Sequence, residues 1–249
     1  MFGTDMGMML DRILFLDIET VPCEERMAQM SEEMQELWRI KFAQLQGRMP
    51  ERFTAEQTPE EGFACGAGVY AEFAKVACIS VGFVYMSGTE RRVRLKSFCG
   101  DDEKTVLEGF AALVNKFMVS KDYSVCGHNI KEFDMPFIMR RMLVNGIRIP
   151  AAINVMGRKP WETNFIDTME MWKFGDFKSF TSLRLLAALF GVPSPKDDID
   201  GSQVADVYYR EHDLKRIATY CQKDVLTTIQ IYLRMNGEAI IAAEAVEYV

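Results

Sequence analysis

Histidine is scarce in this sequence and the cysteines are dispersed, which argues against a structural zinc site. There are two histidines, His128 and His212, and six cysteines that form no Cys-x-x-Cys pair. A zinc site of that kind needs four Cys or His ligands at close spacing. Most of the cysteines lie in apolar stretches, where reduced thiols packed in the core are expected.

Long apolar runs and a positive net charge are also missing. No apolar stretch approaches the ~20 residues of a membrane-spanning helix, and the Met-rich N-terminus has no basic region of the kind found in signal peptides. We therefore expect a folded cytoplasmic protein. A formal net charge of −7 argues against a protein that coats nucleic acid through bulk electrostatics. It allows an enzyme that acts on one nucleic-acid end and offsets clustered carboxylates with its own cations.

The pattern of apolar residues predicts an α/β fold with a central mixed sheet. Residues 12–19 form a continuous apolar run that is typical of a strand buried on both faces. A hairpin follows, with strands at 75–85 and 91–98. Strands then alternate with helices, which favours a three-layer fold with an antiparallel hairpin at the edge of the sheet and parallel strands at its centre. The later predicted strands cover 123–127 and 164–167. One later helix is predicted to begin at Asp101 or Asp102, and three others cover 131–145, 181–190 and 213–235.

Residues 24–68 interrupt this order and are predicted to be an insertion. Apolar residues at helical spacing predict a helix that Ser31 caps and that ends near Gly47. The turn-rich residues 51–68 are predicted to be a loop. Three aromatic residues in or after this loop are candidates either for stacking on unpaired bases or for the core: Phe63, Tyr70 and Phe73.

The second strand of the hairpin has a basic face. Arg92, Arg94 and Lys96 alternate with Val93 and Leu95. One interpretation is an edge strand whose charges prevent aggregation. The other is a contact with nucleic acid.

Two carboxylates lie at the end of the first predicted strand. Asp17 and Glu19 are two residues apart, and side chains at that spacing point to the same face of a strand. Carboxylates held side by side on a buried strand repel each other and lose hydration, so a bound cation would stabilise them. An Asp-x-Glu pair is common by chance, but open α/β sheets place their sites at such strand ends.

A third acid follows the strand at 123–127. Gly127 permits a turn there, Asn129 lies on the turn, and Asp134 falls early in the next helix. The Asn129 amide can both donate and accept hydrogen bonds. Taken alone, Asp134 is equally well explained as a favourable charge in a first helical turn.

The last predicted helix carries a tyrosine and an acid on one face. Tyr220 and Asp224 are four residues apart, so their side chains are neighbours. They border the apolar stripe of this helix. In isolation such a pair is more often a packed ring beside a solvated acid than a catalytic pair.

Together the three segments resemble the exonucleases with four acidic residues in three motifs, in the tyrosine-bearing DEDDy branch. FLDIET, GHNIKEFDMPF and YCQKD are similar to its three motifs, in order. The proofreading exonuclease domain of family B DNA polymerases, with its free-standing relatives, is the group that the chain resembles most. The resemblance implies a ribonuclease-H-like three-layer α/β fold, and a single exonuclease domain over 1–249 with an insertion at 24–68.

The resemblance also implies roles for five residues. Asp17, Glu19, Asp134 and Asp224 would bind two Mg²⁺ or Mn²⁺ ions, which prefer hard oxygen ligands, and Tyr220 would orient the attacking water. Two such cations can stabilise both the attacking and the leaving oxygen of an in-line phosphoryl displacement. The implied reaction is 3′→5′ cleavage of single-stranded or frayed DNA ends, with release of 5′-mononucleotides.

Four further residues are candidates for supporting roles. Thr20 and Asn129 match family positions that contact the terminal nucleotide. Lys196 lies in a polar loop and could reach a substrate phosphate, although a solvated turn explains that loop as well. Asp167 is a rival carboxylate that suits capping of the next helix, or hydrogen bonding behind the site, better than metal binding.

Three alternatives stay open at this point. The same chemistry could act on RNA, because the sequence does not specify the sugar. The chain could be a nucleic-acid-binding module without activity, against which the complete residue set argues. It could also hydrolyse small nucleotides or dinucleotides. A polymerase domain does not fit in 249 residues, so any proofreading would occur in trans.

Overall fold

A computed structural model describes residues 10–159, 162–176, 180–193 and 199–249. Its strands are β1 (Ile13–Pro22), β2 (Ala74–Ser87), β3 (Glu90–Cys99), β4 (Ser124–Gly127), β5 (Phe165–Asp167) and β6 (Val246–Tyr248). Its helices are α1 (Glu32–Arg48), α2 (Pro59–Gly66), α3 (Glu103–Phe117), α4 (Asp134–Val144), α5 (Thr168–Lys173), α6 (Leu183–Leu189), α7 (Val204–Asp206) and α8 (Leu214–Met235). Across the described ranges, the strands form one sheet in the order β5-β4-β1-β2-β3-β6.

The sheet is mixed, as predicted. β1 pairs antiparallel with β2 and parallel with β4, and β5 continues the parallel half. The apolar run of β1 places it inside the sheet, where both of its faces are covered. Helices flank the sheet on both faces, so the predicted three-layer α/β fold is confirmed.

The position of the hairpin at the edge of the sheet was predicted wrongly. β6 pairs in parallel with Val93–Leu95 and covers the outer side of β3. Arg92 and Arg94 of β3 form ion pairs with Glu247 of β6, at 3.0 and 2.9 Å. β6 has three residues, too few to show a strand period, and only its contact with β3 defines it. The two arginines of the basic face are therefore paired within the chain.

The side chains of β1 point alternately to the two faces of the sheet, which determines which face carries the two acids. Leu14 and Leu16 pack on the face covered by α3 and α4. Phe15 packs on the opposite face against Val225 and Ile229 of α8. Since strand side chains alternate, residues 17 and 19 of β1 point to the face where α8 lies.

The insertion has a small core of its own around Trp38. The Trp38 ring is fully buried and contacts four aromatic rings: Phe42, Phe63, Tyr70 and Phe73. Phe63 and Phe73 are thus core residues, and the base-stacking alternative is wrong for both.

Helix starts in the insertion follow local signals. Ser31 caps α1 by accepting the Met34 N–H, as predicted. Residues 51–68 are not all loop, because α2 begins after Thr58 with a capping box formed with Glu61. The turn-forming residues just before Thr58 masked this start signal in the sequence.

Among the described residues, no helix combines the length and apolarity needed to cross a membrane.

Candidate active site

Asp17 and Glu19 lie on the part of β1 that extends past β4. β4 pairs with β1 only over Ile13–Phe15, whereas β2 accompanies β1 to its end. The β1–β2 register shifts between Glu19 and Thr20, which is a bulge, and bulges often re-aim side chains near sites. Both carboxylates therefore face the space at the carboxyl end of β4, where the loop to α4 begins.

The two acids form a desolvated cluster of like charge. One ligand atom from each of Asp17, Glu19 and Cys221 lies within 4.8 Å of the others. Burial raises the pKa of Asp17 well above its usual range, and the charges of Glu19, Asp134 and Asp224 raise it further. Burial likewise raises the pKa of Glu19, followed by the charges of Asp224 and Asp134. All four predicted acids thus interact at one end of the sheet.

Asp134 begins α4 and is almost fully buried, at 3% exposure. Burial raises its pKa to about 7, although hydrogen bonding to the backbone of Asp134 itself and of Ile18 acts in the opposite direction. The Ile18 contact ties the start of α4 to β1 between the two β1 acids.

The turn before α4 needs glycine because of close packing. A Cβ at Gly127 would lie 2.9 Å from the Leu16 carbonyl oxygen and 2.8 Å from Ile130. Its role is close approach to β1, since its φ is not positive. Asn129 instead takes the left-handed conformation, with φ of 62°, which asparagine tolerates better than most residues.

Asp167 supports this turn from behind. Its carboxylate accepts the backbone N–H groups of Asn129 and Lys131, at 2.9 and 3.1 Å, and caps α5 by accepting the Met169 N–H at 2.9 Å. These bonds fit the predicted capping and supporting role. The Asn129 Oδ1 atom is buried and has no hydrogen-bond partner within the described ranges, so the turn presents one unused acceptor.

α8 brings Tyr220 and Asp224 to the same place. Burial raises the pKa of Tyr220 above its usual range, and the charges of Asp224, Glu19 and Asp17 add to the shift. The Tyr220 hydroxyl also hydrogen-bonds to Asp224. Tyr220 therefore stays protonated at neutral pH and can act as a hydrogen-bond donor.

Cys221 was missed by sequence reasoning as a member of the site. Its thiol donates to the Asp17 Oδ2 and backbone oxygen atoms, each at 3.3 Å. Burial, together with the Asp17 and Glu19 charges, raises its pKa, so the thiol remains neutral. The available signal was its place between Tyr220 and Asp224, on the stripe of α8 that faces β1.

The predicted substrate contacts remain predictions. The Thr20 hydroxyl donates to the Gly68 carbonyl oxygen at 2.7 Å, and this bond joins β1 to the end of the insertion. Lys196 lies outside the described residues.

The donor set fits a hard divalent cation. Carboxylate oxygens are the ligands that Mg²⁺ and Mn²⁺ prefer, and the raised pKa values of Asp17 and Glu19 show that nearby positive charge would stabilise their ionised forms. The residues that could hold such ions are Asp17, Glu19, Asp134 and Asp224. The Cys221 thiol is soft and protonated, which suits these metals poorly.

Comparison with known protein families matches residues 69–242 to the predicted 3′-5′ exonucleases related to the exonuclease domain of PolB. The chain belongs to this family. The matched residues include Asn129, Asp134, Tyr220 and Asp224, but they begin after β1. The assignment is therefore independent of the first motif.

A solved structure shows the same fold. The family B DNA polymerase from the hyperthermophilic archaeon Pyrobaculum calidifontis aligns with a TM-score of 0.50 and 17% sequence identity. The alignment covers 87% of this chain and 23% of the polymerase chain. It confirms the ribonuclease-H-like architecture. Comparison with curated proteins finds no match.

Proposed function

We propose that this protein is a metal-dependent 3′→5′ exonuclease that acts on single-stranded or frayed DNA ends and releases 5′-mononucleotides. The convergence of Asp17, Glu19, Asp134 and Asp224, from three separate segments, at one end of the sheet carries this proposal. Membership of a family of predicted exonucleases supports it.

The acids divide naturally into two overlapping ligand sets. Asp17, Glu19 and Asp224 would hold one cation, and Asp17 with Asp134 would hold the second. When bound, such a pair of cations activates water and neutralises charge on the attacking and leaving oxygens. The family resemblance assigns Asp17 to both sets, and the charges of all three other acids act on Asp17.

The remaining residues position the reactants. The Tyr220 hydroxyl hydrogen-bonds to Asp224 and, while it donates there, would orient the attacking water by accepting a hydrogen bond from it. Asn129 offers its unused Oδ1 acceptor to a hydroxyl of the terminal nucleotide. Asp167 fixes the backbone on both sides of that contact through the N–H groups of Asn129 and Lys131.

Two alternatives differ from this proposal in measurable ways. An exoribonuclease would use the same residues and prefer an RNA strand. A binding module without activity would bind strands but leave them intact, and the complete set of four acids and Tyr220 argues against it.

The test uses matched single strands of DNA and RNA labelled at the 5′ end, incubated with Mg²⁺ or Mn²⁺. A ladder that shortens from the 3′ end, and that chelator abolishes, is the expected result. A 3′-blocked strand should resist digestion. Chelator-resistant cleavage, or digestion of the blocked strand, would contradict the proposal, and Asp224→Asn controls for contaminating nucleases.

A further inference from the structure

Two phenylalanine side chains that follow α5 and precede α6 are largely exposed to solvent. Phe174 is 92% exposed and Phe180 is 70% exposed. No other phenylalanine in the described ranges is among the exposed large apolar residues. Exposed large apolar groups that lie together mark interaction sites, and both of these belong to the segment between α5 and α6.

The backbone at Phe174 is unusual for such a residue. Phe174 ends α5 in the left-handed conformation, with φ of 45° and ψ of 35°. This conformation is unfavourable for a bulky side chain, and Gly175, which could adopt it freely, follows directly. An exposed phenylalanine at a strained position suggests a function outside the core.

A short chain of contacts connects the residue after Phe180 to the site. His128 Nδ1 lies 3.0 Å from the Thr168 hydroxyl, and His128 Nε2 lies 2.9 Å from the Thr181 carbonyl oxygen. His128 directly precedes Asn129, and Thr181 directly follows Phe180. Thr181, the neighbour of Phe180, is thus anchored to the turn that carries the second motif.

Positive charge accompanies the rings. The Lys173 ammonium lies 4.2 Å from the centroid of the Phe180 ring, and Arg184 is exposed in the first turn of α6. Flat apolar rings flanked by cations are complementary to stacked bases on an anionic backbone. Nearby Lys131 is already paired with Glu170 at 2.6 Å, so Lys173 and Arg184 are the cations assigned to the strand.

We propose that Phe174 and Phe180 form a stacking surface for unpaired bases upstream of the scissile bond, with Lys173 and Arg184 contacting the backbone. The inference rests on the proposed exonuclease function and specifies its substrate as a single strand of several nucleotides. Stacking is tolerant of sequence because every base has an aromatic face. The surface would therefore favour unpaired ends without selecting a base.

The test compares wild type with Phe174→Ala, Phe180→Ala and the double variant. The substrates are single strands from a dinucleotide to a length of about 12 nucleotides, within the range that one binding groove covers. For the longest strand, the double variant should raise KM by about tenfold with a smaller change in kcat. The increase in KM should become smaller as the strand is shortened to a dinucleotide. Phe180→Tyr, which keeps an aromatic ring, should retain most of the wild-type affinity. Val119→Ala, at a residue that is also 70% exposed, is the matched control and should match wild type.

Other outcomes overturn the inference. Equal losses on every length would mean that the rings only support the fold of the site, and an unchanged KM would mean that they do not touch the strand. A change in self-association without a change in strand binding would assign the surface to a second copy of the chain. Strand binding, measured by fluorescence anisotropy in chelator, separates this inference from the proposed function. Loss of binding in the double variant supports stacking even if wild type cleaves nothing.

Discussion

Two regions of this protein gather charged side chains, and they balance those charges in opposite ways. Between β3 and β6, Arg92 and Arg94 pair with Glu247. Hydrogen bonds from Tyr85 and Arg94 hold the pKa of Glu247 below its usual range. At the end of β1, burial and neighbouring acids raise the pKa of Glu19 instead. The same type of side chain is thus stabilised as an anion in one region and destabilised in the other.

The comparison separates a charge cluster that is balanced within the chain from one that an added cation would stabilise. In the β3–β6 region the charges are balanced by side chains of the chain itself. These half-exposed ion pairs contribute little to stability. The acids at the sheet end have no cationic side chain among the causes that shift the pKa values of Asp17 and Glu19. Bound cations would therefore stabilise the ionised forms of these acids at neutral pH.

Loss of a single acid from the site should have the largest effect. Asp134→Asn and Asp224→Asn should each lower kcat on a labelled strand by about 10³-fold, because each removes one metal-binding charge while keeping the shape. Glu247→Gln, the control from the paired region, should change kcat less than about twofold. Circular dichroism checks that each variant is folded. Near-normal turnover in either acid variant would remove that residue from the site.

Tyr220→Phe should be less damaging than loss of an acid. The hydroxyl positions water and does not bind metal, so a decrease of kcat by about 10²-fold is expected. The half-saturating concentration of Mn²⁺ should stay close to that of wild type. A variant with full activity would show that Tyr220 is a packing residue.

Stability without metal should decline as pH rises. Burial raises the pKa of folded Asp134 to about 7, above the value of ~3.9 in an unfolded chain. The folded state therefore holds a proton that the unfolded chain has lost, and this contribution is complete below about pH 4 and is lost towards pH 7. The measurement is the denaturation midpoint in chelator at several pH values. The midpoint of wild type minus that of Asp134→Asn gives the contribution of Asp134. A difference that is flat or rises with pH would contradict a raised pKa of the buried Asp134 carboxyl.

Among the acids near the sheet end, the smallest change in activity is expected at Asp167. Asp167→Asn should lower the free energy of unfolding by about 1 kcal/mol, because an amide cannot accept the Asn129, Lys131 and Met169 N–H groups as well as a carboxylate does. The loss of turnover should be far below that of Asp224→Asn. If thermal melts are unchanged and turnover falls as far as in Asp224→Asn, Asp167 is a ligand.

Local signals made part of the fold predictable. The apolar run of β1 and the caps at Ser31 and Asp102 are encoded within a few residues. The spacing of Tyr220 and Asp224 likewise follows from one helix. β6 was missed because only its pairing with β3 defines it. α2 was missed because it begins inside a turn-rich stretch.

Contacts between distant segments could not be predicted in this way. The bond from Cys221 to Asp17 joins residues 204 positions apart, and the bonds from Asn129 and Lys131 to Asp167 depend on how β4 and β5 pair. The motifs indicated which acids to consider. Only the fold shows that the charges of these acids act on one another at one end of the sheet.

The balance of charge at the sheet end can be measured directly with Asp17→Asn. Asp17 experiences the charges of the other three acids, so neutralising it should relieve repulsion by about 1 kcal/mol in metal-free buffer. We expect its melting temperature in chelator to exceed that of wild type by about 2–4 °C. Excess Mn²⁺ should reverse the order, because the folded wild type alone presents the assembled site. A variant that melts below wild type in chelator would contradict a like-charge cluster held for cations.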